Sequence, residues 1–121
     1  MTAERTDREL LMLAAKAYGV DLLWKLGFGQ IDLPPAHPYI LSGGLDKDWN
    51  PLEDDGDALR LAAHCMMDIE IGITYVTAGA PLAVPPVSVT EVFTDGARRL
   101  PMTRRAIVRA AAAMAEGGEH G

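Results

Sequence analysis

Ile69, Ile71, Ile73 and Tyr75 alternate with Glu70, Gly72 and Thr74, and a strict period of two in β-branched and aromatic residues specifies a strand with one apolar face. On either side of it the apolar period lengthens to that of a helix. Ala58, Leu61, Ala62, Cys65 and Met66 precede it at i, i+3, i+4, i+7 and i+8, and Ile107, Ala111, Met114 and Ala115 follow it on one face beside Val108. A chain that changes period in this way has to pack helices on a sheet. The expected class is therefore α+β, three helices on a small antiparallel β-sheet, in the approximate order α-(β)-α-β-β-α.

The remaining elements follow from their end signals. Thr6 and Glu9 make a capping box, and Leu10, Leu13, Ala14, Ala17 and Tyr18 form a stripe widened by Leu11. Gly19 then stops a first helix expected over Asp7 to Tyr18. Between residues 20 and 49 the periodicity fades, and Gly27, Gly29, Pro34, Pro35, Pro38, Gly43 and Gly44 interrupt it. Only short strands near residues 22–25 and 39–41 are expected there. Asn50 and Pro51 turn the chain into a second helix capped by Asp54 or Asp55 and ending near Met67. Residues 78–86, with Gly79, Pro81, Pro85 and Pro86, read as a long turn before a strand through Val87, Val89 and Phe93. Asp95 and Gly96 mark the next turn, Thr103 is expected to cap the last helix, and Gly117 and Gly118 to end it.

At 121 residues the chain is expected to form one domain, 1–121, with a flexible N-terminus (1–5) and C-terminal tail (117–121). The lone cysteine, Cys65, suits a reducing compartment, and the polar start and the lack of a long apolar run speak for neither export nor membrane insertion. A cytoplasmic protein is the expectation. Its formal charge of −6 opposes binding to a phosphate backbone unless positive groups gather on one face. The charges are unevenly spread: Asp46, Asp48, Glu53, Asp54, Asp55 and Asp57 crowd one stretch, and Arg98, Arg99, Arg104, Arg105 and Arg109 another.

Asp46, Asp48, Asn50 and Asp57 imitate positions 1, 3, 5 and 12 of a calcium loop, but Pro51 stands where the sixth position needs a glycine. A helix entry explains the acids better. His37, His64 and His120 have no metal-binding spacing, so no metal and no cofactor is expected. His64 and Cys65 are adjacent, hence about 100° apart on a helix, and Cys65 lies on the apolar stripe as a buried thiol. Gly27-Phe28-Gly29 and Gly43-Gly44 lack the strand and lysine of a phosphate cradle, and Ser42 has no nucleophile elbow. Trp24 and Trp49 read as core or core-edge residues.

The string Trp49-Asn50-Pro51-Leu52-Glu53-Asp54-Asp55-Gly56-Asp57-Ala58-Leu59-Arg60-Leu61-Ala62 resembles a signature of small uncharacterised phage and prophage proteins, the NinX-type group. Their opening helix is similar to residues 6–19 and their closing segment to residues 103–112. The resemblance implies phage ancestry and carries no activity onto these residues.

Three functions follow as expectations. The first is a non-enzymatic phage accessory protein whose acidic stretch (Asp46, Asp48, Glu53, Asp54, Asp55, Asp57) meets a basic surface of a host protein, as an inhibitor of a nucleic-acid-directed host defence system would. The second is a small ligand-binding or enzymatic domain using residues 20–49. The third is nucleic-acid binding through Arg98, Arg99, Arg104, Arg105 and Arg109.

Overall fold

The computed structural model describes residues 5–25, 37–42 and 45–119, in an α+β arrangement of three helices and two three-stranded antiparallel sheets. Helix α1 (Asp7–Tyr18) starts and stops where its signals place it. The Thr6 hydroxyl accepts the Glu9 N–H while the Glu9 carboxylate accepts the Thr6 N–H, and Gly19 closes the helix at φ 86°. Strands β1 (Leu23–Lys25), β2 (His37–Ser42) and β3 (Leu45–Asp48) form the first sheet in sequence order. Strand β3 escapes a pattern search because Asp46 and Asp48 resemble a solvated helix approach. Pairing with β2, at Leu41↔Asp46 and Tyr39↔Asp48, makes them alternate residues of a strand.

Helix α2 (Asp55–His64) is capped by Asp54, whose carboxylate accepts the Asp57 N–H. It ends before Met67 because Met66 takes a left-handed φ of 52°. In that turn the Met67 N–H reaches back to the Ala62 carbonyl at 3.0 Å, a closure usually given to glycine. Met66 is exposed, so Met66→Gly trades little packing for relief of the left-handed penalty. The expected gain is about 0.5–1 kcal/mol in urea unfolding.

The alternating run 69–75 is not one strand. It folds into a hairpin between β4 (Asp68–Ile71) and β5 (Tyr75–Ala80), with Ile71 opposite Val76 and the Gly72 N–H bonded to the Tyr75 carbonyl. Gly72 lets the Tyr75 ring lie over the bend, since a Cβ there would displace the ring. Strand β5 continues through Ala80, where a turn was expected from composition. Its inward residues Val76, Ala78 and Ala80 are fully buried, small enough to let a helix approach. Strand β6 (Val87–Val92) completes the second sheet, in the order β4-β5-β6.

A 3₁₀ turn (Gly96–Arg98), capped by Asp95, leads directly into α3 (Arg99–Glu119). This helix begins four residues ahead of Thr103, whose hydroxyl instead donates to the Arg99 carbonyl inside the helix. Pro101 is tolerated because it occupies the first turn, where backbone N–H groups have no intrahelical acceptor. The helix continues through Gly117 and Gly118, where it was expected to end, to Glu119, and Arg5 at the other end pairs with Glu9 and Glu116. Ala106, Ala110 and Ala111 are wholly buried in a core shared with α1, α2 and both sheets. Among the described residues no helix is long and apolar enough to cross a membrane.

Candidate functional site

The acidic stretch is fixed to the core from beneath. Trp49 is 1% exposed and stacks on Tyr18 with ring centroids 5.7 Å apart, and Pro51 is also fully buried. The Asp57 carboxylate folds back to accept the Asn50 N–H at 2.9 Å and pairs with Arg60 at 2.7 Å. The Asn50 side chain in turn accepts the Leu52 N–H at 3.1 Å. These bonds make residues 49–57 a rigid turn whose apolar side faces the core.

The six acids therefore divide. Asp57, 5% exposed, is an internal latch and is withdrawn from the surface set in which its charge alone placed it. Its engagement also displaces the calcium reading, because both carboxylate oxygens already have protein partners. Asp54 caps α2 and lies 3.8 Å from Arg60, and Asp55 meets Arg104 at 2.6 Å. Asp48 and Glu53 are exposed on either side of Trp49, and Asp46 occupies a β3 position opposite Leu41.

The five arginines are similarly sorted, and sequence proximity concealed it. Arg104 also donates to the Leu52 carbonyl at 2.9 Å, tying α3 to the acidic turn. Arg105 pairs with Asp7 at 3.1 Å and approaches Glu91, which Arg109 also engages. Arg99 donates to the carbonyls of Gly72 and Ile73, pinning the β4–β5 hairpin to α3. Four of the five thus hold the fold together, which removes most of the basic patch that a phosphate backbone would need. Arg98 alone has no carboxylate or carbonyl partner for its guanidinium among the described residues.

Arg98 stands beside a groove of about 520 Å³ between the first turn of α1, β1, the Trp49–Asp57 turn and the start of α3. Arg8 lies 4.3 Å over the Trp24 ring at one side, and Leu52, Glu53 and Met102 contribute to the other walls. A smaller hollow of about 290 Å³ beside Phe93 shares Arg98 and Met102 with it. The Arg8–Trp24 pair had no sequence signal, since fifteen intervening residues separate two elements that only the tertiary fold apposes. Trp24 and Pro38 bring part of the 20–49 stretch to this groove. Gly27-Phe28-Gly29, Gly43-Gly44 and His120 lie outside the described residues.

His64 rests edge-on against Tyr18 at 5.0 Å, and Cys65 is buried in the core. Burial pushes the Cys65 thiol above its ordinary pKa, which disfavours the nucleophilic thiolate. Alkylation of the native protein at mildly alkaline pH is expected to be at least about tenfold slower than in denaturant. Equal rates by mass spectrometry would contradict the buried placement.

In comparisons with known proteins, no family model, curated sequence or solved structure matched the chain.

Proposed function

We propose that this chain is a non-enzymatic accessory protein of phage or prophage type that binds a host protein with a basic surface in the host cytoplasm, and that it inhibits a nucleic-acid-directed defence system. The phage ancestry rests on the resemblance of residues 49–62 to the NinX-type signature. The binding role rests on one observation: the exposed acids Glu53, Asp54 and Asp55 are presented, beside Asp48 at the end of β3, on a turn locked by Trp49, Pro51 and the Asp57 latch. A preorganised charged surface loses little conformational entropy on association, and it steers a basic partner through long-range attraction. A protein surface that holds nucleic acid has the complementary charge, so occupying it would block that surface.

Capture from host extract on immobilised protein at low and high salt tests the proposal. A saturable host protein should be retained at low salt and lost at high salt. The double variant Asp48→Lys/Glu53→Lys should lose it, while Arg109→Ala should keep it. Recovery of no saturable partner at either salt, or equal capture by the charge-reversed variant, would overturn the reading.

A further inference from the structure

The groove beside Arg98 shares Glu53 with the acidic surface proposed above, but its chemistry is different. Its volume of about 520 Å³ falls in the range of small-molecule sites, which combine apolar walls with a few placed polar groups. The walls here include Trp24, Leu52 and Met102. Three arginines, Arg8, Arg98 and Arg105, line the groove with them. The Arg8 guanidinium carbon lies 4.3 Å from the centre of the Trp24 ring, and a cation over an indole keeps N–H donors that can reach an anion. Arg98 is exposed, borders both this groove and the hollow beside Phe93, and is the one member of its cluster not spent on an internal partner among the described residues.

The carboxylates at the groove do not cancel this charge. Asp7 is already paired with Arg105 at 3.1 Å, leaving Glu53 at the rim. In a chain of formal charge −6, a concavity whose lining holds two arginines beyond the Asp7–Arg105 pair, with an indole among its walls, is selective by sign as well as by shape. We propose that this groove is a binding site for a small organic anion with a flat apolar body. The anionic group is held by Arg98 and Arg8, and the body lies against Trp24, Leu52 and Met102. Carboxylate and phosphate both match the planar donor fork of arginine, while the apolar walls distinguish such a molecule from an inorganic ion.

The test is a titration of isotopically labelled protein followed by nuclear magnetic resonance. The two indole N–H signals of Trp24 and Trp49 are assigned with Trp24→Phe. The probes are 2-naphthoate, its uncharged counterpart 2-naphthamide, and inorganic phosphate. Naphthoate should shift the Trp24 signal saturably and leave that of buried Trp49 largely unmoved. Naphthamide should bind about tenfold more weakly, the value of one charge-assisted hydrogen bond, and phosphate alone should give no saturable shift. Arg98→Ala should weaken naphthoate by a similar factor with a folded spectrum, Glu53→Gln should strengthen it, and Arg109→Ala should change nothing. Equal affinity for naphthoate and naphthamide, an unchanged affinity in Arg98→Ala, or no saturable shift at Trp24 would overturn the proposal. Because no host protein enters the titration, its failure is distinct from failure of the acidic-surface reading.

Discussion

Trp49→Ala is expected to lower stability by about 3–5 kcal/mol in chemical denaturation, the usual loss for a large aromatic removed from a packed core. The residue is 1% exposed, stacks on Tyr18, and joins the end of the first sheet to the entry of α2. Its backbone N–H also reaches the Pro38 carbonyl at 3.3 Å. A truncated side chain leaves a cavity between elements that cannot collapse independently, because β3 is fixed by the β2 ladder and α2 by its cap. Trp49→Phe separates ring packing from the indole N–H. That N–H has no partner among the described residues, so the phenyl variant should lose far less than the alanine variant. Similar losses for both would contradict a packing role for the ring.

Asp57→Ala is expected to cost about 2–3 kcal/mol, chiefly by leaving the part-buried Asn50 N–H without its acceptor. The ion pair with Arg60 contributes less, since the arginine side chain is 51% exposed and solvent screens it. Asp57→Asn tests that division. An amide oxygen still accepts the Asn50 N–H, so much of the loss should be recovered although the charge is gone. Equal destabilisation by Ala and Asn would mean that the charge, rather than the backbone bond, holds the turn. A loss under about 0.5 kcal/mol in Asp57→Ala would place Asp57 among ordinary surface acids.

The helices were legible because their information is local. The capping box at Thr6 and Glu9, the left-handed Gly19 and the stripe from Ala58 to Cys65 each lie within a few residues of the structure they specify. The β-structure was less so, for a physical reason at each place. The period of two from Ile69 to Tyr75 continues through a chain reversal, and alternation carries no record of a turn when a glycine at the bend falls on an expected polar position. The end of β5 lacked β-branched residues because its inward positions are kept small beneath α3. Strand β3 was hidden by its acids, and one expected sheet became two because pairing partners are set by tertiary contact.

The candidate site was legible in its charges and not in their use. Counting placed Asp57 with its acidic neighbours, yet its neighbour in space is the Asn50 backbone. Counting also grouped five arginines along α3 and its approach, although the helix directs four of them to separate places: the acidic turn, Asp7, Glu91 and the β4–β5 hairpin. Opposite charges distant in sequence satisfied one another on folding, as Arg104 and Asp55 do. The exposure of Glu53 on the locked turn, of Asp48 at the end of β3 and of Arg98 at the groove is the part that only the tertiary structure identifies.

The central claim is that the locked acidic turn steers a basic partner. The association rate of the captured host protein, measured across a range of ionic strength for the native chain and Glu53→Lys, tests it most directly. The native rate should fall steeply as salt rises, and the variant should start slower with a shallower dependence. Coincident rates and slopes for the two proteins would contradict the claim.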